Sequence, residues 1–209
     1  MKDSRDFSGI GKLIAPRSVA VIGASSDAGR IGGRPIKWML KAGYDGKIFP
    51  VNPNRTEIQG LPAYPTIADL PEVPDAAIIA VPAPHVARAL EDLGRLGVGA
   101  AVIFSSGFAE VGGEGSAGQA GLAEIARAHG IRILGPNSLG LFNARRNYYA
   151  TFTSTFDKAW PRQGGISIIS QSGAFGSHLA TLAQVKGLGA PLCIMTGNEA
   201  DLIVGEVIG

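Results

Sequence analysis

Cysteine is almost missing from this chain: Cys193 stands alone among 209 residues. A lone thiol excludes an intrachain disulfide and a cysteine metal cluster. It fits a reducing compartment, so a cytoplasmic location is expected. Within the apolar run PLCIMTG, Cys193 is expected to pack as a small hydrophobe. Charge is scarce too, at 17% of residues with a net charge of +2. That surplus makes no electrostatic case for nucleic acid or an anionic membrane as a partner. No apolar run approaches the roughly 18 residues of a membrane span, and the opening MKDSRDFSGIGKL has no signal-peptide block. The histidines, His85, His129 and His178, lack metal-ligand spacing and are expected to be structural, so no metal site is expected.

What the chain does have is apolar residues, at 45%, and 30 glycines. This is the composition of a core-rich protein with many tight turns. The apolar runs are short and β-branched: SVAVIGA (18–24), KIFPVNP (47–53), AAIIAVPA (76–83), GAAVIFSSG (99–107) and IRILGPN (131–137). Amphipathic stretches at 34–43, 85–97 and 121–130 read as helices between them. Apolar strands alternating with such helices predict an α/β fold, with a parallel sheet covered on both faces. Five βα units of this kind make a Rossmann-like domain over residues 1–145. Residues 146–163, in LFNARRNYYATFTSTFDKAWPRQGG, show no clean period and read as a linker, with Arg145 and Arg146 as solvated charges at its edge. A second unit starts at 164 with the strand and turn GISIISQSGAF, a helix, and the strand APLCIMTGN. Two βα units do not cover a sheet, so residues 164–209 are expected to open a longer domain.

The loops after these strands carry the chemistry. VAVIGASSDAGRIGG is a strand, a glycine-rich turn and a helix start, the arrangement that holds a phosphate. A nicotinamide site would need G-x-G-x-x-G and an acid ending the second strand. Here Ser25 replaces the second glycine, and the second strand ends in VNPNR. A nucleotide P-loop would need Lys then Ser or Thr, yet Arg30 and Ile31 follow Gly29. An anion still fits: Ser25, Ser26 and the glycines offer N–H groups near a helix start, and Arg30, Arg34 and Arg55 could fork phosphate. The alternative is a structural turn with solvated arginines. AVPAPHV, FSSGFAEVGGEG and GPNSLGLFN follow the third, fourth and fifth strands, where open α/β sheets bind ligands. SQSGAF is no hydrolase elbow, since Ser170 and Ala174 stand where G-x-S-x-G needs glycine.

VIGAS, PVNP, AVPAP, SSGFAE, GPNSLG and SQSGAF, in this order, resemble the nucleoside-diphosphate-forming acyl-CoA synthetases. The resemblance runs from about Arg17 to the end. It implies a CoA-binding Rossmann-like domain followed by a flavodoxin-like ligase domain. The implied reaction joins a carboxylic acid to CoA, driven by ATP or GTP, through an acyl phosphate and a phosphohistidine. By the same resemblance, Gly23, Ala24, Ser25 and Ser26 match the loop holding CoA phosphate. Asn52, Pro53 and Arg55 lie at the nucleotide end, and Val81, Pro82 and Ala83 form a turn beside CoA. Ser105, Ser106 and Gly107 match the pantetheine loop, with Ser106 where the succinate enzymes carry an acid. Asn137 lines the thiol end. Ser170, Ser172 and Gly173 match a second phosphate site. None of the three histidines matches the phosphorylated one, which the resemblance places beyond residue 209, so no catalytic residue is expected here. By the resemblance Glu199 and Asp201 flank that phosphate site; the alternative is a helix N-cap by Asp201 or Asn198. The implied partners are CoA, a carboxylic acid, an ATP-grasp domain or subunit binding ATP or ADP with Mg, and further subunits of a homo- or hetero-oligomer. Two other functions stay open: the CoA-sensing regulatory half of a protein lysine acetyltransferase, and an NAD(P)-dependent oxidoreductase.

Overall fold

The computed structural model describes residues 8–208. Along the chain run α1 (Ser8–Ile14), β1 (Ser18–Ile22), α2 (Arg34–Ala42), β2 (Lys47–Val51), β3 (Glu57–Ile58), β4 (Leu61–Pro62) and β5 (Ala76–Ile79). Then come α3 (Val86–Leu96), β6 (Ala100–Ile103), α4 (Glu114–His129), β7 (Arg132–Leu134), β8 (Gly140–Asn143) and β9 (Tyr148–Thr151). The chain continues through β10 (Ser167–Ser170), α5 (Gly173–Val185), β11 (Leu192–Met195) and α6 (Val204–Ile208).

All five predicted apolar runs become strands of one parallel sheet, ordered β2-β1-β5-β6-β7. Every residue of β1, β5 and β6 is buried, which explains why these strands read as unbroken apolar runs. The chain moves from β1 outward to β2, then crosses back to β5 on the other side. That reversal is the switch point, and the crevice outside the carboxyl ends of β1 and β5 is where such sheets take ligands.

Two expectations about helices differ. No α-helix links β2 to β5; the crossover holds the hairpin β3–β4 and a single helical turn at Ile67–Asp69. Pro53, Pro62, Pro65, Pro71 and Pro74 deny that stretch the N–H groups a helix needs. Helix α4 begins at Glu114, seven residues before the expected start. Its first half, EGSAGQAG, is too rich in small residues to show a period.

A second sheet runs β10-β11-β8-β9. β10 and β11 are parallel, whereas β8 and β9 add an antiparallel hairpin. The stretch read as an irregular linker therefore contains β9. All four of its residues are buried, so the alternation that betrays a half-exposed strand is absent. Its neighbours explain the burial. Trp38 of α2 donates its indole N–H to the Thr153 carbonyl at 3.2 Å; Phe156 and Trp160 meet its ring edge-on, and Tyr149 packs against both of them. One continuous core holds Val19 and Ile78 of the first sheet with Leu141 and Ile194 of the second.

Candidate functional site

Gly23 ends β1 with φ +82°, and a Cβ there would sit 2.8 Å from the Ala80 carbonyl oxygen. Only glycine lets the loops after β1 and β5 meet so closely at the switch point. Gly32 and Gly33 fold back under the loop, where added Cβ atoms would strike the Gly23 and Asp27 carbonyls. Much of this turn satisfies itself. Gly23 and Ala24 donate to the Val51 carbonyl at 3.1 and 3.2 Å, and Ser25 donates to Gly32 at 3.4 Å. The Asp27 carboxylate accepts the Gly29 N–H at 2.8 Å. The sequence expectation of many available donors thus narrows: among the described residues of this turn, the N–H groups of Ser26, Ala28, Ile31 and Gly32 meet no protein acceptor. Helix α2 starts only at Arg34, so these donors come from the turn before it rather than from its first residues.

Side chains complete the nucleotide end. Asn52 bridges the ends of β1 and β2, donating to the Ala24 carbonyl at 2.8 Å while its Oδ1 accepts from the Asn54 N–H at 2.8 Å. Gln59, from the β3–β4 turn, donates to the carbonyls of Ser25 and Gly33 at 3.0 and 2.9 Å. The sequence alone gave no reason to single out Gln59, which stands in a tight turn with φ +53°. Arg55 is exposed at the rim, and Arg30 lies 3.6 Å from Asp27 in an exposed pair of little strength. Arg34 is committed elsewhere, donating to the Phe152 carbonyl at 2.9 Å. Two adjoining hollows of about 370 and 480 Å³ share Ser25, Arg30 and Asn52. A larger hollow, about 500 Å³, lies at the amino-terminal end of β7 beside Lys12, His129 and Arg132. The carboxyl ends of the strands decide between them.

The groove continues past β5. The Ser105 hydroxyl donates to the Val81 carbonyl at 2.5 Å, and Gly107 stands against the Ala83 methyl. Ser106 is exposed. The Gly107 N–H is already taken by the Glu110 carboxylate at 2.5 Å, and Phe108 donates to the same group at 3.2 Å. Burial alone would raise the Glu110 pKa, but these N–H groups and the Asn198 amide hold it below the usual carboxylate value. Asn137 follows the cis Gly135–Pro136 bond with φ +54° and donates its N–H to the Ser105 carbonyl at 2.8 Å.

Beyond Asn137 the second sheet begins. Ser172 caps α5 by accepting the Phe175 N–H at 3.3 Å, and Ser170 donates to the Ser172 carbonyl at 3.0 Å. Both hydroxyls thus shape the turn, and Gly173 is held against Leu139. Gly197 ties this turn to the Asn137 loop. Its N–H bonds the Gln171 carbonyl at 3.1 Å, and a Cβ on it would lie 2.5 Å from the Pro136 carbonyl. Glu199 accepts from Thr196 and from the Val204 N–H at 3.0 Å, so it, not Asp201 or Asn198, serves the start of α6. Asp201 binds Arg132 at 2.9 Å and the Ile133 N–H at 2.8 Å. Cys193 is fully buried in β11, and burial pushes its thiol up to about 12. His85 and His178 are exposed; the His129 ring covers Gly94. Arg145 donates to the Gly164 carbonyl at 3.0 Å rather than standing free.

The family model described as CoA binding domain matches residues 17–144. The chain belongs to the CoA binding domain family. A second model, succinyl-CoA ligase like flavodoxin domain, matches residues 163–209. Relatives of this CoA binding domain chain are acid–CoA ligases. It is 40% identical to an ADP-forming acetate–CoA ligase of Methanocaldococcus jannaschii, over 92% of the chain and 26% of the relative. It is 42% identical to a trans-feruloyl-CoA synthase from an unknown prokaryotic organism, over 91% of the chain and 27% of the relative. The apo dinucleotide-forming acetyl-coenzyme A synthetase 1 of Ca. Korarchaeum cryptofilum superposes with a TM-score of 0.86 at 37% identity, over 93% of this chain and 41% of that one. The chain thus spans about a quarter of the length of the first two relatives.

Proposed function

We propose that this chain is the CoA-binding part of an ADP-forming acyl-CoA ligase, with the nucleotide at the β1–β2 end and the thiol near Asn137. The observation that carries it is the run of joined loops from Gly23 to Gly197. It leads from Ser26, Arg30 and Arg55 past Val81 and Ser105 to Asn137, and there meets the Ser172 turn of the second sheet. Unpaired N–H groups and arginines suit the phosphates. The pantothenic arm is placed along the joined loops Val81–Ala83 and Ser105–Gly107, which touch through the Ser105 hydroxyl and the Val81 carbonyl. In the ligase reaction CoA supplies the thiol that takes up the activated acyl group. The chain's own part is to hold that thiol beside the Ser170–Gly173 turn, whose position at the start of α5 suits a phosphate. The carboxylic acid, the phosphohistidine and an ATP-grasp domain or subunit with ATP and Mg complete the proposed reaction outside these residues. A nicotinamide function finds no support, because the residue just after β2 is Asn52, whose amide braces Ala24 instead of a ribose.

Calorimetry of the chain tests this. CoA binds at one site, dephospho-CoA binds more weakly because Arg55 and Arg30 lose a phosphate, and NADPH does not compete. Absence of CoA binding, or displacement by NADPH, contradicts the proposal.

A further inference from the structure

Asn198 lies in the loop after β11, yet its side chain reaches into the first sheet's loops. Its amide donates to the Glu110 carboxylate at 2.5 Å and to Gln119 Oε1 at 3.0 Å. Its Oδ1 accepts from the Asn137 amide at 3.3 Å, and its backbone N–H bonds the Pro136 carbonyl at 2.8 Å. Gln119 closes the circle by donating to the Asn198 carbonyl at 3.2 Å while accepting the Ala109 N–H. Glu110 in turn gathers the N–H groups of Gly107 and Phe108. Gly107 has φ +102°, a conformation that a non-glycine residue would resist and that these bonds hold.

We propose that Asn198 is a positioning residue: through Glu110 and Asn137 it sets the Ser105–Gly107 loop and the thiol-end loop together, so that the second sheet fixes the geometry of the pantetheine groove. This rests on the CoA reading given above. The residue type follows from the chemistry. The position donates to Glu110 and to Gln119 and accepts from the Asn137 amide at once, and a carboxamide has the two donors and the acceptor this needs. Aspartate would set a second negative charge against Glu110; alanine would remove the side-chain link and leave the direct Asn137 N–H bond to the Ser105 carbonyl. The bonds are charge-assisted at Glu110, the strong class. Two loops that follow different strands of one sheet thereby take their spacing from a residue of the other sheet.

The test is CoA calorimetry on the chain with Asn198→Asp, Glu110→Gln, and the two combined. Asn198→Asp weakens CoA binding by roughly tenfold or more, the size of a lost charge-assisted bond. The double variant exchanges amide and carboxylate and regains affinity to within about threefold of the parent. A merely structural role would lower the melting temperature while the folded variants kept the parental CoA affinity. Parental affinity in Asn198→Asp, or a double variant no better than that single one, overturns the inference. If melting shows Asn198→Asp unfolded, Asn198→Ala carries the comparison, and parental affinity there overturns it equally. A parent chain that fails to bind CoA instead defeats the functional proposal itself.

Discussion

Gly23 is the residue on which the site's shape turns. Its positive φ and its approach to Ala80 leave no room for a side chain. Gly23→Ala is expected to cost about 1–3 kcal/mol of stability, measured by urea unfolding, and to weaken CoA binding as the loop is pushed outward. A variant with parental stability and affinity would show that the turn relaxes freely. Asp75 acts by charge. It accepts the backbone N–H of Arg17 at 2.9 Å and its Nε at 3.1 Å. The Arg17 hydrogen bond holds its carboxyl below the usual value. A carboxylate whose folded pKa is depressed stabilises above its unfolded pKa, about 3.9, and that contribution fades as pH falls through the lower folded value. Asp75→Asn should therefore be less stable than the parent at pH 7, with the gap closing below about pH 4. A gap that stays constant with pH would assign the effect to packing. At this scale the sequence was informative about residue type but not about partner. Ser25, Gly107 and Ser172 stand at the strand ends as expected, yet Gly32, Glu110 and Phe175 occupy their bonding groups. Those partners are set by backbone folding that no spacing reveals.

The five parallel strands were legible because both faces are covered and each run is wholly apolar. The hairpin β8–β9 was not. Its tyrosines and Thr151 read as polar, and they are buried because α2 and the aromatic cluster around Trp38 cover them. Thr151 meets the Leu139 carbonyl at 2.7 Å. Tyr148 pays differently: its ring is fully buried, and its hydroxyl meets no partner among the described residues. An unpaired buried hydroxyl is unfavourable. Tyr148→Phe is thus expected to leave stability unchanged or raise it by up to about 1 kcal/mol, read as a higher melting temperature. A clear loss would reveal a partner for that hydroxyl, such as a buried water. Gly140 sets the hairpin's entry, since a Cβ there would lie 2.0 Å from the Ala150 carbonyl.

For the whole molecule, the two sheets share a core and meet where Asn137, Gly197 and Ser172 converge. The proposed groove therefore crosses from one unit to the other, with its proposed nucleotide end at loops of the first sheet. On the proposed function, this groove grips CoA along the carboxyl ends of the strands. A crystal structure of the chain with CoA bound tests it most directly. The account predicts the phosphates at Ser26, Arg30 and Arg55, the pantothenic arm along Val81 and Ser105, and the thiol beside Asn137. A groove left empty at saturating CoA, or the ligand seated at the opposite end of the sheet beside Lys12 and Arg132, would contradict it.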